Sequence, residues 1–103
     1  MLKKKPVRGS DKISVTFETR SHTDAGRISL VGEFNDWNPL RHPMRKRKDG
    51  AWSATVRLDS GQRYQYRFLV DETEWATDVE ADAVVVNPYG EENSVVALAG
   101  PED

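Results

Sequence analysis

Apolar and polar residues alternate along most of this chain. Ile13, Val15 and Phe17 are interleaved with Ser14, Thr16 and Glu18, the period of a strand with one buried face. Residues 19–26 are polar and end in Asp-Ala-Gly, a turn. Residues 27–33, with Ile28, Leu30 and Val31, predict a second strand. Residues 35–43 hold Asn-Asp-Trp-Asn-Pro and a second proline, and read as loop. After the Asp49-Gly50 turn, Trp52, Ala54, Val56 and Leu58 alternate with Ser53, Thr55 and Arg57. Beyond Asp59-Ser60-Gly61, Tyr64, Tyr66, Phe68 and Val70 share one face of a strand, and Arg63, Gln65, Arg67 and Leu69 the other. Residues 71–74 read as a tight turn, Trp75 leads a short return strand, and residues 82–86 predict another. Asn87-Pro88-Tyr89-Gly90 breaks it, and residues 94–99 form the last strand.

About seven short strands with turn signals roughly 8–12 residues apart predict an all-β protein, an antiparallel sandwich or barrel. No window has a helical period, and there is no internal repeat. Residues 1–11 lack periodicity and are read as a flexible N-terminal tail, leaving residues 12–100 as one domain. The length of 103 residues fits that reading, since single domains take about 100–200.

Composition removes several chemistries. There is no cysteine, which excludes disulfides, thiolate zinc sites and cysteine nucleophiles. The only histidines, His22 and His42, are too few for an all-histidine metal site, so no metal and no cofactor is expected. The N-terminus has the positive start of an export signal without its apolar run. No stretch approaches the ~18–20 apolar residues of a membrane span. A cytoplasmic location and no membrane partner are the expectation.

Charge is uneven. Residues 1–48 carry 12 Lys and Arg against 5 Asp and Glu, a net of +7, and residues 49–103 carry 3 against 12, a net of −9. One reading is a basic half that contacts nucleic acid. The other is that the halves interleave in one sheet structure and compensate each other. The basic clusters at residues 3–5 and 45–48 read as a frayed tail and a loop tip, which favours the second. Nucleic acid is not an expected partner.

The three tryptophans separate. Trp52 heads an apolar strand face and belongs in the core. Trp37 stands among Asn35, Asp36, Asn38 and Pro39, in no periodic apolar set, and Trp75 follows an acidic turn. Either could fold back onto the core. Exposing a ring forgoes burial energy of about a few kcal/mol, which is offset only if a ligand covers it. Flat rings suit bases, proline-rich peptides or sugars. Bases need a positive groove for phosphates, whereas Asn, Asp, Glu and Thr surround these tryptophans. Such side chains offer donors and acceptors to neutral hydroxyls, so sugars fit better.

The motifs around these residues form an ordered set. Gly32-Glu33-Phe34-Asn35-Asp36-Trp37 follows the pattern G-x-F-N-x-W. Gly50-x-Trp52 comes next, then Gly61-x-x-Tyr64-x-Tyr66-Arg67-Phe68-x-Val70-Asp71, Trp75-x-x-Asp78, and Asn87-Pro88-x-Gly90-x-x-Asn93-Ser94-Val95-Val96. In this the chain resembles carbohydrate-binding module family 48. That family includes the glycogen-binding domain of the AMP-activated protein kinase β subunit and the N-terminal domains of isoamylases and glycogen branching enzymes. The resemblance runs from about residue 13 to residue 98. It implies an early-set, immunoglobulin-like β-sandwich that binds α-1,4-glucans. It makes Trp37 and Trp75 the rings that stack on glucose, and Arg67 and Asn93 hydrogen-bonding partners of its hydroxyls. The region of Tyr89 and Glu91 matches a loop lining the site.

Three positions depart from that pattern. The usual Asp-Gly becomes Asp71-Glu72-Thr73-Glu74, a longer turn without glycine, expected to alter the spacing of Trp75 from Trp37. Arg67 replaces the usual lysine, keeping donors in a different geometry. Val79 follows Asp78 where relatives often carry proline. On local grounds Asn35 and Asn38 read as turn caps. Arg67 reads as a cross-strand ion-pair partner, and Asp71 and Asp78 as turn and loop residues rather than catalytic acids.

No nucleophile motif or phosphate-binding loop is present, and the acidic residues sit in turns rather than in the desolvated pair that glycoside hydrolysis needs. In multidomain relatives, the resemblance implies, catalysis belongs to a separate barrel domain that is missing here. The expectation is a non-catalytic binding domain for α-1,4-glucan (glycogen or maltooligosaccharide), with a separate glucan-active enzyme as a further partner. The alternative is a protein-interaction or regulatory module that docks onto a glycan-active enzyme, steered by its bipolar charge.

Overall fold

The alternating runs become strands of two antiparallel sheets that share one core. In the computed structural model, which describes residues 2–98, the strands are β1 (Leu2–Pro6), β2 (Lys12–Thr19), β3 (Ile28–Gly32), β4 (Arg45–Lys46), β5 (Trp52–Asp59), β6 (Gln62–Val70), β7 (Glu74–Ala76), β8 (Ala83–Val86) and β9 (Glu92–Leu98). One sheet has the order β1-β2-β5-β4. The other has the order β3-β6-β9-β8, with β7 also paired to β6. The only helical element among the described residues is a 3-10 turn at Glu33–Asn35. This is an all-β, immunoglobulin-like sandwich. Residues 99 and 100, expected at the end of the last strand and of the domain, lie outside the described residues.

Nine strands stand where about seven were expected, the additions being β1 and β4. Residues 2–6, read as tail, pair with β2 from Leu2 opposite Phe17 to Pro6 opposite Ile13. Their own pattern carries no alternation because the open edge of β2 dictates the pairing. Lys4, on the inward side of this edge strand, reaches past the core to Asp82 at 2.6 Å and to the Ala97 carbonyl at 2.9 Å. The basic cluster at 45–48, read as a loop tip, begins with the two-residue strand β4 against β5.

The period-two pattern sets the core. Val15 and Phe17 of β2 and Trp52 and Leu58 of β5 face Leu30 of β3, Tyr66 and Phe68 of β6, and Val96 and Leu98 of β9, all buried. Phe17 and Tyr66 meet edge to face, with centroids 4.8 Å apart, joining the two sheets. The Tyr66 hydroxyl donates to Asp78 Oδ2 at 2.7 Å, and the Asp78 N–H donates to Ser94 Oγ at 2.7 Å. Burial, and then the bond to Asp78, push the Tyr66 phenol well above its ordinary pKa. Asp78 is thus a buried tie between β6, β9 and the β7–β8 connection.

The two charged halves interleave. Lys4 pairs with Asp82, Lys12 with Asp59 at 2.5 Å, Arg27 with Glu72, and Arg20 and Arg47 with Asp49 at 3.3 and 3.0 Å. Each pair joins the basic half to the acidic half.

Candidate functional site

The outward face of β6 is the floor of a groove. Gln65 and Arg67 alternate there with the buried Tyr66 and Phe68. One wall is Trp75 of β7, whose register partner on β6 is Leu69. The other comes from the β8–β9 turn and from the segment after β3. The groove has a volume of about 510 Å³ and is lined by Glu33, Trp37, Gln65, Arg67, Trp75, Asn87, Pro88, Tyr89, Glu91 and Asn93. All six residues expected from the sequence line it together. Glu33, Gln65, Asn87 and Pro88 were not anticipated. Gln65 was findable, since it lies two residues from Arg67 on the same strand face.

Trp37 is presented by a segment that turns sharply out of β3. Gly32 is extended there, and its lack of a side chain is a matter of space. A Cβ would sit 2.7 Å from the Gln65 carbonyl and 2.8 Å from Tyr66 Cβ. After the 3-10 turn, Asp36 and Trp37 both adopt left-handed backbone, with φ of 57° and 58°. A bulky residue there is costly, on the order of 1–3 kcal/mol, and persists only when its surroundings over-determine it. The Trp37 N–H bonds the Gly32 carbonyl at 2.9 Å. Asn35 caps the 3-10 turn, as expected, and is also a buried bracket. Its Oδ1 accepts from the Gly32 N–H at 3.0 Å, and its Nδ2 donates to the Leu30 carbonyl at 2.9 Å. Asn38 does cap a turn, accepting from the Leu40 N–H at 2.9 Å.

Trp75 stands on the far strand of the β6–β7 hairpin. The glycine-free sequence still makes a tight turn, closed by the Thr73 N–H on the Val70 carbonyl at 3.2 Å. Its central residues, Asp71 and Glu72, have φ of 51° and 69°, as a type I′ turn requires. Asp71 Oδ1 accepts from the Gly26 and Arg27 N–H groups at 2.7 and 3.0 Å, clipping the turn to the start of β3. Trp75 therefore still lines the same groove as Trp37. The two rings keep 43% and 37% exposure, enough to meet a ligand.

The groove's polar groups are mutually paired. Arg67 Nη1 donates to Glu91 Oε1 at 2.9 Å, and its guanidinium carbon lies 5.5 Å from the Trp75 ring centroid, a cation–π contact. Arg67 Nε has no partner. Glu33 Oε1 accepts from the Gln65 N–H at 2.7 Å. Asn93 Nδ2 donates to Gln65 Oε1 at 3.0 Å, and its Oδ1 accepts from Asn87 Nδ2 at 3.2 Å. Asn87 also organises its own loop, its Oδ1 accepting from the Tyr89 and Glu91 N–H groups. Tyr89 is fully open at the rim. The result is two accessible rings flanking amides with spare hydrogens and lone pairs, and an internally compensated arginine. That set suits a neutral, hydroxyl-bearing ligand with flat apolar faces.

The family carbohydrate-binding module 48 (isoamylase N-terminal domain) matches residues 10–90. A 1,4-alpha-glucan branching enzyme of Xanthomonas campestris pv. campestris is 46% identical over 46 residues, which is 44% of this chain and 6% of that enzyme. A 1,4-alpha-glucan branching enzyme of Burkholderia cenocepacia is 43% identical over 63 residues, 59% of this chain and 8% of the enzyme. One from Bradyrhizobium sp. is 43% identical over 47 residues, 45% of the chain and 7% of the enzyme. The chain thus spans only a small fraction of the length of these relatives. No helix among the described residues is long and apolar enough to cross a membrane.

Proposed function

The chain belongs to carbohydrate-binding module family 48, and on that premise we propose that its groove is a cytoplasmic, non-catalytic binding site for α-1,4-glucan, glycogen or maltooligosaccharide. Trp37 and Trp75 stack on glucose faces, and Arg67, Asn93, Glu91 and Tyr89 meet the hydroxyls and the rim of the chain. The observation that carries the reading is that two half-exposed tryptophans from different turns line one groove with Arg67 and Asn93. Rigid rings lose little entropy on binding, so a shallow site of this kind is effective. Because Glu91 neutralises Arg67, the floor offers no free cation to an anionic polymer.

The test is maltoheptaose binding followed by tryptophan fluorescence and by retardation in glycogen gels. Removing a central stacking ring typically costs about 2 kcal/mol, roughly thirtyfold in Kd. Trp37→Ala and Trp75→Ala should each show that loss. Unchanged retention of both variants would refute the reading. A second reading, docking onto a glucan-active enzyme, is favoured by the identity of the relatives, which are branching enzymes. Silence towards maltoheptaose, with stable association to such an enzyme, would select it.

A further inference from the structure

A second concave surface of opposite character lies where β4 and β5 of the other sheet meet the β3–β4 connection, which bridges to β3 at Ser29 and Pro43. A groove of about 310 Å³ lies beside β4, and its polar lining is Arg41, His42, Arg45, Ser53 and Thr55. Arg45 and Ser53 are register partners, and Ser53 and Thr55 alternate on the outward face of β5. All five side chains carry hydrogen-bond donors, the Thr55 hydroxyl lying 2.9 Å from the Thr16 hydroxyl with either able to donate, and no carboxylate lines the surface. Among the described residues, neither Arg41 nor Arg45 makes an ion pair. Glu18, opposite Ser53 in the same row of the sheet, is buried and held by Arg47 at 2.5 Å and Arg20 at 3.5 Å.

The tautomer of His42 follows from Asn35. The Asn35 amide is oriented by two backbone partners, with Oδ1 on the Gly32 N–H and Nδ2 on the Leu30 carbonyl. Its second Nδ2 hydrogen is therefore directed at His42 Nδ1, 2.8 Å away, which must accept it. The ring is neutral and carries its proton on Nε2, where no described residue takes it. Burial lowers the His42 pKa from its ordinary value, and the adjacent positive charge of Arg41 lowers it further.

From this convergence of donors we infer that the groove beside β4 binds a phosphate group, gripped by Arg41 and Arg45 with the Ser53 and Thr55 hydroxyls and His42 Nε2–H completing the cradle. Guanidinium forks match the oxygens of a phosphate, and paired charge-assisted bonds are the strongest polar contacts available at a surface. A neutral sugar would leave two guanidinium charges with nothing beyond what water offers. A single nucleic-acid strand would need a run of aromatic platforms, and this lining has no Phe, Tyr or Trp. The phosphate group is common to the free ion and to a phosphate ester. The cradle and the tryptophan groove share no lining residue and are read out by different ligands, so failure of one proposal is distinguishable from failure of the other, although His42 touches the Asn35 brace beneath Trp37.

The experiment is an NMR titration with inorganic phosphate at constant ionic strength, with chloride as control and with glucose 6-phosphate against glucose. Saturable shifts at the Arg45, Ser53 and Thr55 amides and the His42 ring are expected, with the His42 pKa rising on binding. The Arg41→Ala/Arg45→Ala double variant should bind at least about tenfold more weakly. Arg45→Gln, which keeps side-chain length, should lose part of that, and Trp75→Ala, whose hairpin does not touch the Asn35–His42 bond, should bind phosphate normally. Tighter binding of glucose 6-phosphate would identify an ester as the ligand, and equal binding the bare phosphate group. Equal shifts with chloride, shifts centred on Lys3, Lys5 and Arg57 instead, or undiminished binding by the folded double variant would overturn the inference.

Discussion

Two turns present the two groove tryptophans, and they hold their rings in different ways. On the Trp37 side the backbone strain lies in the ring-bearing residue itself and in Asp36, and a buried amide, Asn35, braces the segment from beneath. On the Trp75 side the ring sits in a regular strand position, and the strain lies three and four residues away at Glu72 and Asp71. The braces there are exposed: Asp71 on the Gly26 and Arg27 N–H groups, and Glu72 on Arg27. The first ring is fixed by the core, so it cannot be adjusted without damage to the fold. The second is carried by a hairpin that sequence change can retune. The departure from Asp-Gly to Asp71-Glu72 falls on the retunable side.

The sharpest way to break this contrast is Asn35→Ala. It strands the Gly32 N–H and the Leu30 carbonyl in a buried site, at about 1–3 kcal/mol for each unsatisfied group. For a domain of this size that is expected to lower Tm by at least about 10 °C. Thermal denaturation by circular dichroism measures it, and glucan retention should fall together with stability. A Tm within a few degrees of the parent would mean that Trp37 is no more firmly held than Trp75.

The same contrast explains what the sequence revealed. Alternation placed Phe17, Trp52, Tyr66 and Phe68 in the core because strands β2, β5 and β6 are long enough for period two to show. Trp37 and Trp75 stood out because each broke that period. The cap made by Asn35 was legible, but its bracing role was hidden, since that rests on Leu30 and His42, five and seven residues away. β1 was hidden for a related reason. Its sequence, Leu-Lys-Lys-Lys-Pro, has no alternation, and the edge of β2 supplies the order. Gln65 was passed over because only its neighbour Arg67 fell on a known motif.

On the Trp75 side the effects should be smaller and of both signs. Asp71→Ala removes the acceptor for two exposed N–H groups that water can partly replace, a cost of about 1 kcal/mol. Tm should fall by roughly 4–8 °C, and glucan affinity should fall with it as the hairpin detaches from β3. Glu72→Gly acts in the opposite direction. It relieves a left-handed residue at about 1 kcal/mol, against a surface ion pair worth a fraction of that and a more flexible unfolded chain. A net gain of roughly 0.5 kcal/mol is expected from urea denaturation, with Trp75 still competent to bind. No equivalent gain exists at Trp37, because glycine there deletes the ring. If Glu72→Gly destabilises the fold, the strain assigned to the hairpin is wrong.

The smallest effect concerns pH, and it should touch only the Trp37 side. His42 accepts a hydrogen from Asn35, and burial, then Arg41, lowers its pKa from the ordinary value near 6.5. As pH falls below about 6.5 the unfolded chain takes up this proton before the folded chain does. The stability contribution is therefore complete above about 6.5 and is lost as pH falls through the lowered folded value. Asp49 operates in a separate window. The Ala51 N–H and then Arg47 hold its carboxyl at about 2, so its contribution is lost only as pH falls from about 3.8 towards that value. Urea denaturation at pH 7.5 and pH 5.5 isolates His42 from Asp49. The parent should be less stable at the lower pH, and His42→Gln, which keeps an acceptor for Asn35 without titrating, should lose most of that slope. Acid should also perturb Trp37 fluorescence before that of Trp75, because protonated Nδ1 opposes the amide that braces Trp37. An equal slope in His42→Gln would show that the brace beneath Trp37 is indifferent to this histidine's charge.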